Sequence, residues 1–448
     1  MRRLVIAGAG SGVGKTTIAT GIISRLSKRY SVQAFKVGPD FIDPMFHTLA
    51  SGRPSRNLDS FFMDKATIGN LFGWSTQDAD IAIIEGVRGL YDGLSATGDT
   101  GSTAEIAKLL DASVILVVNA RSLAKSAAAV VMGFKMLDPE VRIEGVILNQ
   151  VSGERHRQKA TEAVESLTDT KVVGTIERDS NRLAERHLGL VTPDDIDASK
   201  AIADVEGLVR DIDMDPILEI SEKGRWLDLP IDAPFPEAEN RGVRIGVPRD
   251  SAYSFYYQEN LESLQAAGAE LVMFSPLKGD TLPDADGYYL GGGYPEMHLE
   301  TLSANRDFLD GIEAKSSEGC TIYGECGGMM TLCRSISNGA AKGRMAGVFD
   351  HDAVLTEQRQ GLSYVISEGT GENFLFPGRT VKGHEFHYSK LVPQPDGPYA
   401  FDVTRGTGVD GRHDGLVKRR TIGTYMHQHA LANKEWGLRI VESCLERV

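Results

Sequence analysis

Two short stretches carry residue types whose spacing can do chemistry. Near the amino terminus stands Gly8-Ala9-Gly10-Ser11-Gly12-Val13-Gly14-Lys15-Thr16-Thr17, and far downstream Gly324-Glu325-Cys326-Gly327-Gly328. The first reads as a phosphate loop, in which glycines let successive backbone N–H groups curl toward phosphate oxygens. Gly10, Ser11, Gly12, Val13, Gly14, Lys15, Thr16 and Thr17 are the expected ATP contacts, with Lys15 bridging the β- and γ-phosphates and the Thr16 hydroxyl on Mg²⁺. The second stretch follows the apolar Thr321-Ile322-Tyr323 and precedes Met329-Met330-Thr331-Leu332. Strand, sharp turn and helix make a nucleophile elbow, which is expected to expose the Cys326 thiol and lower its pKa. Together the two stretches point to ATP-powered chemistry fed by ammonia.

Each centre needs partners. Lys36-Val37-Gly38-Pro39-Asp40-Phe41-Ile42-Asp43-Pro44 follows an apolar run, and either acid can hold Mg²⁺ or position an acceptor carboxylate. Asp43 is assigned to the metal and Asp40 to the acceptor. His47 reads equally as a packed residue or a ligand. Glu85 closes the run Ile81-Ala82-Ile83-Ile84, where nucleotide-hydrolysing folds place a metal-directing carboxylate, so Mg²⁺ is expected on Thr16, Asp43 and Glu85. Arg88 and Asp92, just beyond, are expected on the acceptor side. Asn149 ends a later run and either reads adenine through its amide or forms a turn. For the thiol, Thr424-Tyr425-Met426-His427-Gln428-His429 supplies His427 as base and His429 in reserve, with one of the pair expected at the surface. Gly292 and Gly293, within Gly291-Gly292-Gly293-Tyr294-Pro295-Glu296, offer backbone N–H groups for an oxyanion hole. Cys320, Cys333 and Cys444 lack such settings and read as packing residues.

The elements that must hold these residues are legible as short Val- and Ile-rich runs: 4–7, 32–37, 81–84, 114–118, 146–148 and 172–173. Runs apolar on both faces, separated by amphipathic stretches, predict a doubly wound parallel α/β sheet with ligands beyond the strand carboxyl ends. Pro216, Pro230, Pro234 and Pro236 gather in a stretch of weak periodicity, which reads as a linker. A second α/β pattern opens at Val243. The expected division is 1–195 for an ATP-binding amidoligase domain, 196–241 for a helical segment and linker, and 242–448 for a glutaminase domain.

The bulk properties agree with two ordinary cores: 448 residues, 41% hydrophobic and 25% charged. A net charge of −14 argues against binding to nucleic acid or anionic membrane by bulk electrostatics. Four cysteines without a Cys-x-x-Cys pair fit a reducing cytoplasm. Arg2-Arg3 before an apolar run opens a strand rather than a signal peptide, and no run approaches the ~18 apolar residues of a membrane span.

With these residues in place the chain resembles the cobyrinate a,c-diamide synthase family, including the nickel-sirohydrochlorin a,c-diamide synthases. The resemblance runs nearly end to end and rests on 38–44, 85–93, 291–296, 324–328 and Gly383-His384-Glu385-Phe386-His387-Tyr388. The phosphate loop, with Ala9 where glycine is usual, resembles the dethiobiotin-synthetase-like branch. The resemblance implies a dethiobiotin-synthetase-like parallel sheet followed by a class I glutamine amidotransferase α/β domain, with Cys326 as glutaminase nucleophile and His427 increasing its nucleophilicity. It also implies amidation of the a and c side chains of a tetrapyrrole in cobalamin or coenzyme F430 biosynthesis. Many class I glutaminases carry Glu two residues after the histidine; His429 stands there instead, which weakens a strict triad. The 383–388 segment reads as a polar wall near the glutaminase or the domain interface, or as a structural strand-end network, and not as a metal site. The implied partners are small molecules, namely ATP, L-glutamine and a tetrapyrrole polycarboxylate, without nucleic acid or membrane; a homodimer is one candidate state. The rivals are a cobyric acid synthase-type amidotransferase and a partitioning-type ATPase switch whose second half only binds.

Overall fold

Seven strands build the first sheet: β1 (Arg2–Gly8), β2 (Val32–Val37), β3 (Arg56–Leu58), β4 (Ile81–Glu85), β5 (Ser113–Asn119), β6 (Ile143–Val151) and β7 (Lys171–Glu177). Their order is β3-β2-β4-β1-β5-β6-β7 and every pairing is parallel. The central strands β1, β2, β4 and β5 are buried along almost their whole length, as runs of Val, Ile and Leu require when both faces are covered. Parallel pairing puts all carboxyl ends on one edge, so the loops after β1, β2 and β4 meet there. The computed structural model describes residues 1–178, 192–193 and 196–446, in two compact units, Met1–Pro234 and Phe235–Val448.

The expected boundary at 195 lies outside the described residues. Helices Ala198–Leu208 and Asp215–Ser221 belong to the first unit, where Val209, Ile212, Ile217 and Ile220 join the same core as Leu4, Ile6, Ile18 and Ile22. Pro216, read as linker, instead opens a helix at its first turn, a position where the missing N–H is harmless. Among the described residues no helix is long and apolar enough to cross a membrane.

The second unit continues with β8 (Val243–Pro248), β9 (Ala269–Phe274), β10 (Gly287–Leu290), β11 (Thr321–Glu325), β12 (Cys333–Ser337), β13 (Lys342–Arg344) and β14 (Phe349–Leu355). Then follow β15 (Gly361–Gly369), β16 (Thr380–His387), β17 (Ser389–Val392), β18 (Tyr399–Arg405), β19 (His413–Lys418), β20 (Thr421–Thr424) and β21 (His427–Gln428). Ten of them form one mixed sheet, β21-β16-β15-β18-β19-β20-β11-β10-β8-β9, and β13-β12-β14-β17 form another. The run from β20 to β9 is parallel, and β10, β11 and β20 lie side by side within it. The rest of the large sheet is antiparallel.

Candidate active sites

In the first unit the loop after β1 wraps onto Lys15, which starts helix Lys15–Ser27. Gly14 caps that helix at φ 91°, a left-handed conformation that favours glycine, and a methyl there would lie 2.5 Å from the Asn149 amide. Asn149 is itself buried there. Its Nδ2 donates to Val13 O at 2.8 Å and its Oδ1 accepts from Gln150 N at 2.8 Å, so the amide braces the loop from below. The Lys15 ammonium donates to Gly10 O at 3.1 Å and to Arg88 O at 2.5 Å. Burial, with Lys36 nearby, lowers this lysine to about 8 against the pull of Glu85, Asp43 and Asp92.

Beside Lys15 lies a buried cluster of charge. Thr16 Oγ1 donates to Glu85 Oε1 at 2.7 Å, and the Lys36 ammonium stands 2.8 Å from the same oxygen and 2.5 Å from Asp43 Oδ2. His47 is fully buried, with Nε2 2.8 Å from Glu85 Oε2. Burial works against ionising Glu85, but Lys36 and His47 outweigh it and hold the carboxyl below its usual range. Asp43 goes the other way: burial and the charges of Asp40 and Glu85 push it up to about 8 despite Lys36. The Thr16 hydroxyl and the Glu85 and Asp43 carboxylates are the oxygen donors a hard divalent cation takes, with the Lys36 ammonium now resting on both acids. Asp40 caps the following turn by accepting from Asp43 N at 2.9 Å, and Asn57 pins the same loop through Gly38 O and Asp40 O, both at 2.8 Å. Asn57 escaped the sequence reading, since an asparagine on a three-residue strand carries no motif. Arg88 and Asp92 are exposed at this edge; Asp92 Oδ2 accepts from Gly89 N at 3.0 Å and fixes the turn between them.

In the second unit three neighbouring strand ends converge. Leu290 of β10 pairs with Gly324 of β11, and Glu325 of β11 with Thr424 of β20. The glycine loop, Cys326 and His427 thus leave one edge together. Cys326 has φ 47°, a strained value for a non-glycine residue, and its N–H is held by Thr424 O at 2.7 Å. The elbow does not expose its thiol. Cys326 is 7% exposed, and burial together with the Glu296 charge pushes the thiol well up; the Gly327 N–H opposes this, and Glu325 and Asp414 add smaller contributions. Glycine spacing announced the sharp turn, but two of the acids that act on the sulfur, Glu296 and Asp414, come from elsewhere in the fold.

His427 and His429 are both buried, contrary to the expected surface position for one of them. His427 Nδ1 lies 3.5 Å from Glu325 Oε2, while His429 Nε2 lies 3.4 Å from Glu259 Oε2. Glu325 is itself fixed, accepting from Gln428 N and from the Tyr289 hydroxyl, each at 3.1 Å. The turn carrying His427 is shaped by buried Asp414, which accepts from Thr424 Oγ1 at 2.6 Å, Met426 N at 2.9 Å and Tyr425 N at 3.1 Å. A methyl at Gly292 would overlap Cε1 of His427, so the bare glycine loop and the base are in direct contact. A methyl at Gly327 would sit 3.1 Å from Gly293 N, which brings that N–H beside the nucleophile's own turn.

The 383–388 segment borders the same site. His384 stacks on His427 with ring centroids 5.0 Å apart, and burial, with His427 and His429 nearby, drives its pKa far down, so it stays neutral. Phe386 O is 4.0 Å from the Cys326 sulfur. Glu385 turns away to Ser363 Oγ, Thr407 N and Gly408 N, a structural strand-end network. One segment therefore serves both readings of it. Glu325 and Asp414 were not recognised as site residues from sequence; Glu325 sits inside the elbow motif, but its partner lies 102 positions away.

Residues 4–191 match the CobQ/CobB/MinD/ParA nucleotide binding domain, and residues 244–435 the CobB/CobQ-like glutamine amidotransferase domain. A phosphate-loop sheet joined to such a domain defines a glutamine-dependent, amide-forming ligase. The cobyrinate a,c-diamide synthase of Methanobrevibacter smithii is 44% identical over 451 residues, 99% of each chain. That of Methanosphaera stadtmanae is 44% identical over 455 residues, 100% of each, and that of Methanothermobacter thermautotrophicus 46% over 450 residues, 99% of this chain and 100% of its own. The chain belongs to the cobyrinate a,c-diamide synthase family.

Proposed function

We propose that the chain converts the a and c side-chain carboxylates of a cobyrinate-type tetrapyrrole to carboxamides, with ATP as activator and glutamine as nitrogen donor. A carboxylate resists ammonia because oxide is a poor leaving group. The γ-phosphoryl group of ATP therefore passes to a carboxylate oxygen, giving an acyl phosphate and ADP, and ammonia then displaces phosphate. Lys15 follows the developing charge on the transferred group, and the loop N–H groups hold the remaining phosphates. Thr16, Asp43 and Glu85 would hold Mg²⁺, which offsets phosphate charge and aligns the in-line displacement. Arg88 and Asp92 would meet the acceptor's carboxylates and amides.

Ammonia comes from the second unit. His427 takes the Cys326 proton, the sulfur attacks the glutamine side-chain carbonyl, and the oxyanion falls to Gly293 N–H and its neighbours. Ammonia leaves with that proton, and water hydrolyses the glutamyl thioester to glutamate. Two rounds give the diamide. The observation that carries this reading is the convergence of Cys326, His427 and the Gly292-Gly293 loop on three adjacent strand ends, in a chain that also bears the Lys15–Thr16–Glu85 cluster.

The test is mass spectrometry of the purified chain with ATP, Mg²⁺, glutamine and either cobyrinate or nickel-sirohydrochlorin. Two successive replacements of OH by NH₂ on cobyrinate are expected, and no mass change with either acceptor refutes the proposal. Cys326→Ala is expected to lose glutamine-dependent product and keep product formed from added ammonium; equal loss with both nitrogen sources refutes the division of labour.

A further inference from the structure

Three carboxylates act on the Cys326 sulfur: Glu296, Glu325 and Asp414. Two are saturated by donors. Glu325 accepts from Gln428 N and Tyr289 Oη, and Asp414 from a hydroxyl and two backbone N–H groups. Glu296 differs. It sits in the short helical turn Pro295–Met297, three residues after Gly293, and its Oε2 is enclosed with no hydrogen-bond partner. The turn is anchored by Asn338 Nδ2 donating to Glu296 O at 3.1 Å, and Pro295 packs on Gly327 beside the nucleophile. Burial pushes this carboxyl up to about 7. A buried carboxylate oxygen without a donor is costly, and persists where a ligand supplies the missing donor.

We propose that Glu296 receives the α-ammonium group of glutamine, orienting the amino acid so that its side-chain amide reaches Cys326. This rests on the glutaminase reading above. Glutamine brings one cation into the site, and the enclosed Oε2 is the acceptor near the sulfur that other groups have left open. Ion pairing there also offsets the negative charge that disfavours the thiolate, so the correct substrate readies its own nucleophile. An amide-bearing compound without the ammonium forgoes both gains. Glu296 is thus a specificity residue rather than a proton carrier.

The experiment compares hydrolysis of glutamine and of glutaramate, the analogue lacking the α-amino group, by the full chain. Wild type is expected to favour glutamine, and Glu296→Gln to lose about 10- to 100-fold of that preference, mainly through KM for glutamine, with glutaramate turnover equal or higher because the charge that disfavours the thiolate is gone. Glu296→Asp, which keeps the charge, should recover part of the preference. Equal rates for both compounds in wild type, or a parallel fall for both in Glu296→Gln, overturn the proposal. Glutamate release by Cys326→Ala would instead overturn the glutaminase reading, and this inference with it. Unchanged thermal midpoints in the variants separate a lost contact from a lost fold.

Discussion

Glu325 Oε2 stands 3.5 Å from Nδ1 of His427, although Glu325 is the residue directly before the nucleophile on another strand. The sequence position that many glutaminases fill with a carboxylate holds His429 here, and that histidine is turned to Glu259 instead. The orienting carboxylate of this site therefore enters from β11. Because Gln428 N and the Tyr289 hydroxyl fix its two oxygens, Glu325 can hold the imidazole's tautomer and face the imidazolium that forms in turnover.

Glu325→Gln should leave the fold intact, since the amide oxygen still accepts a hydrogen bond. Its N–H₂ faces the wrong partners and the counter-charge is gone. Glutamine-dependent kcat is expected to fall by about 10²- to 10⁴-fold with KM little changed and ammonium-dependent synthesis preserved. A loss below threefold, read by glutamate release, refutes the orienting role.

The contact between Gly292 and His427 makes a second test. In Gly292→Ala the methyl must displace the imidazole ring or the loop, and a displacement near 1 Å costs about 10²-fold in rate. Glutamate release should fall by that order while ammonium-dependent amidation persists. Wild-type glutaminase activity in Gly292→Ala would contradict the geometry.

Asp414→Asn turns an N–H₂ group toward either the Met426 and Thr424 donors or the Tyr425 N–H. One donor is left unsatisfied in a buried turn, at a cost of about 1–3 kcal/mol. Chemical denaturation should show the second unit destabilised by that amount, with glutaminase activity reduced because His427 follows that turn. Unchanged stability would mean that the turn is held by other groups.

The raised Cys326 thiol sets a pH dependence. A pKa above the ordinary ~8.5 of a thiol leaves less thiolate at any pH, and the deficit shrinks as pH rises. Alkylation of Cys326 by iodoacetamide without glutamine should therefore keep climbing through pH 9. A plateau below pH 8 would mean a thiolate-stabilising site, as the elbow motif alone suggested. Mass mapping of the alkylated peptide separates Cys326 from Cys320, Cys333 and Cys444.

What the sequence by itself determined is local: a glycine-rich loop before Lys15-Thr16, an elbow around Cys326, and Val- and Ile-rich runs that read as strands. Each depends on a few consecutive residues, where backbone sterics and apolar periodicity act directly. What the tertiary structure decided is which distant groups meet. Parallel pairing of β11 with β20 and β10 brings Glu325, His427 and Gly292 together across more than a hundred residues. The same closure sets the Asn149 amide against the phosphate loop as a brace, and makes Pro216 a helix start rather than a linker residue. It also buries Cys326 among acids, which reverses the thiol shift read from the elbow. Burial and charge at a point are sums over everything packed around it, and that neighbourhood exists only once the strands have paired.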